Sequence, residues 1–170
     1  MNGNDYESVV WRHKDTVHAY ASTILRNRTE AQDVAQEALV RLWQRRDGVT
    51  VDGARPWLLR TAHNLCIDQI RKRKVRSEAD EGDEIVDRRP SEGPSPQALA
   101  ESGELRQQID LALESLSEED QAVIVMREMQ QLPYDEIATA LAVPLGTLKA
   151  RLHRAREKLR HRLCRAGVTP

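Results

Sequence analysis

Six cations, Lys149, Arg151, Arg154, Arg156, Lys158 and Arg160, fall within twelve residues that hold a single acid, Glu157. At 100° per residue, Leu148, Leu152, Ala155 and Leu159 gather on one side of a helix and must face a core. Ala150, His153, Arg154 and Glu157 lie opposite. Lys149, Arg156 and Arg160 flank one edge, and Thr147, Arg151 and Lys158 the other. A helix that enters a DNA groove needs this pattern: flanking cations hold phosphates while a mixed crest reads base edges. Arg154 has the fork to pair two-pronged with a guanine, and small Ala150 permits close approach. A merely solvated helix also carries basic residues outside. Two features favour nucleic acid instead. The cations are not interleaved with acids at i, i+4, and "PYDEIATALAVPLGT" supplies a short helix and tight connection just upstream, the helix-turn-helix order.

A second cationic face lies in "RPWLLRTAHNLCIDQIRKRK". Trp57, Leu58, Thr61, Ala62, Leu65 and Cys66 form its apolar side, while Arg60, Asn64, Ile67 and Arg71 cluster opposite. The helix runs into Arg71, Lys72, Arg73 and Lys74. An amide bracketed by cations can satisfy donor and acceptor on an unstacked base while the cations hold the strand. The preceding helix has a stripe from Ala31 to Trp43 that leaves Asp33, Gln36, Glu37 and Arg41 outside. By itself that outer face reads as hydrated surface, and Trp43 reads as core.

The elements that position these faces are all helical. Thr29 and Gln32 have the spacing of a capping box for the Ala31 helix, Pro56 suits a first turn, and Ser117 suits a second cap. Leu105, Ile109, Ala112, Leu113 and Leu116 form a further stripe. Phe is absent and glycine is sparse, which argues against a multi-stranded β fold. The formal net charge is only −1, but it is segregated: +4 over residues 1–75, −6 over 76–104, −6 over 105–144 and +7 over 145–170. Residues 77–104 have the Ser, Gly, Pro and acid content of a linker. The expected fold is all-α: two small helical domains, 1–76 and 105–170, joined by a flexible acidic linker, 77–104.

Other chemistries are poorly served. His13, His18, His63, His153 and His161 are scattered, without an HExxH, a Gly-rich phosphate loop or a GxSxG turn, so no enzyme, metal or cofactor is expected. Cys66 and Cys164 are isolated and read as reduced cytoplasmic thiols. No signal peptide or membrane span is visible.

"LESLSEEDQAVIVMREMQQLPYDEIATALAVPLGTLKARLHRAREKL" resembles region 4 of an extracytoplasmic-function (ECF, group 4) sigma factor of the sigma-70 family. "AQDVAQEALVRLWQRR" followed by "RPWLLRTAHNLCIDQIRKRK" resembles its region 2. The resemblance implies a protein that directs core RNA polymerase to promoters and helps open the minus-10 region. It assigns Asp33, Gln36, Glu37 and Arg41 to the polymerase β′ clamp coiled coil. Arg60, Asn64, Ile67, Asp68, Arg71, Lys72 and Lys74 fall to the minus-10 element, with the loop Asp47 to Ala54 helping to hold a flipped base. Thr147, Lys149, Ala150, Arg151, His153, Arg154 and Arg156 fall to the minus-35 element, and region 4 also meets the β flap. The linker is implied to thread the polymerase cleft toward the RNA exit channel. An anti-sigma factor is the implied regulator of a protein that is a free monomer in the cytoplasm and joins the nucleoid in holoenzyme. Ser117, Asp120-Gln121 and Pro133 depart from the family pattern, and housekeeping strand-opening aromatics have no counterpart, Trp57 being on the apolar side. A stringent promoter follows from trapping so few bases. The rival is a stand-alone helix-turn-helix regulator, which leaves the Asp33 to Arg41 face without a use.

Overall fold

The structure, a computed structural model, describes the backbone of residues 1–79 and 96–168 and the side chains of 1–76 and 103–168. Within these residues there are seven α-helices and no strand: α1 (Gly3–Leu25), α2 (Arg28–Gln44), α3 (Ala54–Ala79), α4 (Pro96–Glu114), α5 (Glu118–Ile124), α6 (Tyr134–Leu141) and α7 (Leu145–Arg165). The ends of the expected linker are helical, since α3 runs to Ala79 and α4 begins at Pro96. Its remainder, with most of the acidic residues, lies outside the described residues.

Helix starts follow local chemistry. Asn2 and Asp5 form a reciprocal capping box on α1. The cap of α2 is Asn27, whose Oδ1 accepts the Glu30 N–H at 3.0 Å, rather than the expected Thr29. The reason is the sharp joint: α1 closes at Arg26 in a left-handed conformation (φ 52°), so extended Asn27 is already at the helix mouth and Thr29 is inside the first turn. Gly53 N–H donates to Thr50 Oγ1 (3.1 Å) ahead of α3, and Ser117 Oγ accepts the Asp120 N–H (3.3 Å) on α5, as expected. One turn of π-helix, Val125–Met129, follows α5, and Gln131 then adopts a left-handed φ of 52°. The Arg127 guanidinium donates to the Leu132 carbonyl (2.8 Å) and lies over the Tyr134 ring, which sets the entry of α6.

Helices α1, α2 and α3 pack on one another around Tyr20, Leu25, Leu42 and Leu58, all without solvent contact or nearly so. Each such side chain contributes roughly 1.5–3 kcal/mol of burial. Val9 is fully buried at the start of α1. The second group, α5 to α7, closes on Met126, Leu132, Ile137, Leu148 and Leu152. Leu105 belongs to neither core and is exposed. The two groups meet: α3 packs against α6, and Leu59, outside the expected apolar side, is fully buried. The Arg26 guanidinium pairs with Glu114 and donates to the Asp110 carbonyl, while Arg55 stands 3.6 Å from Glu136.

Candidate nucleic-acid interface

α6 and α7 form the helix-turn-helix. Ala142 closes α6 in a left-handed conformation (φ 54°), the Val143 N–H donates to the Ala138 carbonyl (3.0 Å), and Pro144 leads into α7. Leu148, Leu152 and Ala155 are buried and fix the rotation of α7. Thr147, Lys149, Ala150, His153, Arg154 and Arg156 are exposed as the wheel requires, and Arg151 is half-buried. The cations are less free than the local sequence suggests. Arg151 pairs with Glu119 (2.7 Å), Arg156 with Glu128 (2.6 Å), Lys158 with Asp120 (2.6 Å) and Arg160 with Glu157 (2.7 Å). The Glu128 hydrogen bond raises the pKa of Arg156 further, so that guanidinium stays charged. Lys149 and Arg154 have no ion pair among the described residues, and they are the cations offered most directly to a polyanion.

On α3, Arg60, Asn64, Asp68, Arg71, Lys72 and Lys74 are exposed and Ile67 is half-buried. Two cavities meet at Asn64. The first, about 360 Å³, is lined by Arg41, Gln44, Arg45, Trp57, Thr61 and Asn64. Gln44, Arg45, Trp57 and Thr61 were not singled out from sequence as site residues. Trp57 is half-buried, packing against the core and bordering the cavity beside the end of α2. A planar ring, an amide and two guanidinium groups around one hollow suit a stacked base with its phosphate. The second cavity, about 420 Å³, is lined by His63, Asn64, Ile67, Asp68, Arg71, Glu118 and Glu119. Lys74 meets Glu118 at 3.1 Å.

Behind this face, Tyr20 Oη lies 2.9 Å from His63 Nδ1. Burial pushes the Tyr20 pKa well up and the His63 pKa down, so the contact joins two neutral groups; Glu118 and Glu119 oppose the His63 shift. Cys66 is buried and its thiol is pushed up to about 12, chiefly by desolvation.

On α2, Asp33, Gln36, Glu37 and Arg41 are all exposed, and Arg41 Nε donates to Glu37 at 2.7 Å. Trp43, expected in the core, is 43% exposed. It sits at the last turn of α2 with Tyr6 edge-on at 4.9 Å and the Arg46 guanidinium 4.2 Å from its ring.

Comparison with known proteins decides what carries these faces. Residues 9–76 match the family model for sigma-70 region 2, and residues 106–159 that for sigma-70 region 4. The chain is 33% identical over 165 residues to the ECF RNA polymerase sigma factor SigW of Bacillus subtilis, covering 93% of this chain and 88% of that protein. The chain belongs to the ECF RNA polymerase sigma factors. SigL of Mycobacterium tuberculosis is also 33% identical, over 98% of this sigma factor and 89% of its own length. SigE of Mycolicibacterium smegmatis is 33% identical over 94% of this sigma factor, which spans 62% of that longer relative. Two solved structures share the fold. RpoE in complex with the anti-sigma factor NepR from Bartonella quintana has a TM-score of 0.73 at 23% identity, covering 94% of this chain and 96% of that one. CnrH in complex with the cytosolic domain of CnrY has a TM-score of 0.68 at 24%, covering 93% and 86%. In this sigma factor the region 2 match takes in most of α1, all of α2 and most of α3, with the lining of the first cavity, while Glu118 and Glu119 of the second cavity fall in the region 4 match. The region 4 match runs from within α4 to Leu159 of α7. No helix of the described residues is long and apolar enough to cross a membrane.

Proposed function

We propose that this sigma factor brings bacterial core RNA polymerase to its promoters through two helical units, residues 1–76 and 105–170, with 77–104 between them. The α3 face (Arg60, Asn64, Ile67, Asp68, Arg71, Lys72 and Lys74) takes the minus-10 strand. The α7 crest (Thr147, Lys149, Ala150, Arg151, His153, Arg154 and Arg156) takes the minus-35 duplex. Asp33, Gln36, Glu37 and Arg41 meet the β′ clamp, and region 4 meets the β flap. The protein binds rather than catalyses. It acts in the cytoplasm and joins the nucleoid within holoenzyme. Regulation by an anti-sigma factor fits the fold it shares with the sigma factor RpoE, solved in complex with the anti-sigma factor NepR.

The observation that carries this reading is the pair of cation-bracketed helix faces, one in each family region, with Asn64 and Arg154 at their centres. The test is run-off transcription from a genomic fragment library with bacterial core polymerase, with and without the protein. Discrete new starts sharing two spaced upstream elements are expected. Arg154→Ala should lower those transcripts by about tenfold and relax the upstream element at one position, as loss of a bidentate base contact does. Random starts alongside tight, specific DNA binding without polymerase would assign the chain to stand-alone regulators.

A further inference from the structure

The cations of α7 come with counter-charges supplied by the rest of their own domain. Residues 105–144 and 145–170, at −6 and +7, nearly cancel, so the unit that holds the helix-turn-helix has a formal charge of only +1. A domain that gripped duplex DNA by its phosphates alone would be strongly basic. The cancellation is local as well as formal. Arg151, Lys158 and Arg156 are met by Glu119, Asp120 and Glu128, acids that α5 and the π turn bring to them through space. Lys149 and Arg154 have no ion pair among the described residues, and with Ala150 and His153 they are exposed on the outer side of the helix.

The pair made by Glu128 is the one placed to act on DNA binding. Its Oε1 accepts from Arg156 Nε at 2.8 Å and lies 2.6 Å from Nη2, so one carboxylate oxygen takes two N–H groups of the guanidinium. The two side chains are 46% and 45% exposed, which keeps the pair at the surface instead of in the core. A cation paired in this way has no counterion to release when a phosphate arrives, and its carboxylate repels that phosphate. Glu128 lines neither cavity of α3, and the pair lies wholly within the C-terminal unit.

We infer that Glu128 sets the selectivity threshold of minus-35 binding: it neutralises Arg156 against phosphate, keeps the sequence-blind grip on duplex DNA weak, and leaves occupancy to sites that satisfy Lys149, Ala150, His153 and Arg154. This rests on the reading of α7 as the duplex-binding helix. A phosphate contact adds the same free energy at every sequence. One more such contact therefore lifts poor sites toward occupancy while good sites are already filled, and the range of promoters used widens.

The test uses the full chain and a fluorescein-labelled, mixed-sequence duplex DNA roughly two helical turns long, followed by anisotropy from about 50 to about 200 mM salt. Each phosphate contact steepens the fall of log affinity with log salt by about 0.9. Glu128→Gln is therefore expected to steepen that fall by about one and to bind about tenfold tighter than the wild type at 50 mM, the gain shrinking to about threefold at 200 mM. Adding Arg156→Ala should cancel the gain. The charge-matched control Glu7→Gln alters an exposed acid of α1 and should change neither slope nor affinity. In run-off transcription with core polymerase and the genomic fragment library, Glu128→Gln should raise starts at fragments with mismatched upstream elements by about threefold, the gain set by the added contact. Unchanged relative yields there would overturn the threshold. If Glu128→Gln, shown folded by circular dichroism, keeps the wild-type slope and affinity while Lys149→Ala/Arg154→Ala weakens binding, the counter-charge is refuted and the α7 reading stands. Weaker binding by Glu128→Gln would also overturn the inference, since Glu128 would then be holding Arg156 toward the phosphate. If Lys149→Ala/Arg154→Ala leaves duplex binding unchanged, the α7 reading is lost and the threshold with it.

Discussion

Replacing Lys158 by methionine isolates what holds the recognition helix in place. On a helical wheel Lys158 is one more phosphate-binding flank, but in the fold its Nζ donates to Asp120 Oδ2 at 2.6 Å. The two ends differ in burial: the lysine side chain is 58% exposed and the aspartate 10%. An exposed pair contributes about 0.2–1 kcal/mol. Breaking a fully buried one costs about 3–5 kcal/mol, because the stranded charge has no water to replace its partner. With one partner half in solvent and the other buried, Lys158→Met should cost about 2 kcal/mol. Urea denaturation reads this as a lower midpoint at unchanged slope, equivalent to roughly 4–8 °C in Tm for a chain of this size. Asp120→Asn removes the charge that would be stranded, so Asp120→Asn/Lys158→Met should be less destabilised than the two single variants added together, by about 1 kcal/mol or more. A loss under about 0.5 kcal/mol in Lys158→Met, or additive single effects, would refute the argument and return Lys158 to the phosphate-contacting set.

Two further outcomes follow from the buried titratable groups. His63 has its pKa depressed below the ordinary 6.5 by burial, so the folded state prefers it neutral. Its contribution is present above pH 6.5 and is lost as the pH falls from there through the lowered folded-state value. Wild type should accordingly lose more stability between pH 7.5 and 5.5 than His63→Gln, measured by urea midpoints at both pH values; equal losses would remove His63 from the account. Cys66 is buried with its thiol near 12 and Cys164 is exposed, so a thiol reagent at pH 8 should label one cysteine in the native chain and two after unfolding. Rapid labelling of both in the native state would contradict the packing of α3 against α1 and α2.

Much of the helical layout was legible because helix periodicity is local. Leu148, Leu152 and Ala155 are buried on α7 in the order their spacing requires, and Asp33, Gln36, Glu37 and Arg41 stand outside α2. Failures came where two segments meet. Leu59 lay off the apolar side of α3, yet it is buried because α3 packs on α6 as well as on α1 and α2. Trp43 is apolar and in register, but at the last turn of α2, against Tyr6 and Arg46, it stays 43% exposed. Trp57 packs against the core as its register requires, and it also borders the cavity at Asn64.

Sequence by itself determined that the chain is helical, that its charge is segregated, and that α3 and α7 each turn a cationic side away from a core, since these follow from residue type and a repeat of a few residues. It also carried both motifs by which the sigma factor family is recognised. Only the tertiary structure decided which cations remain available. Arg151, Lys158 and Arg156 have few acids beside them in sequence, yet Glu119, Asp120 and Glu128 reach them from α5 and the π turn that follows, while Lys149 and Arg154 have no ion pair among the described residues. An ion pair depends on distance through space, and the folding of α5 against α7 sets that distance. The acidic turn that faces Asn64 and Arg71 has the same origin.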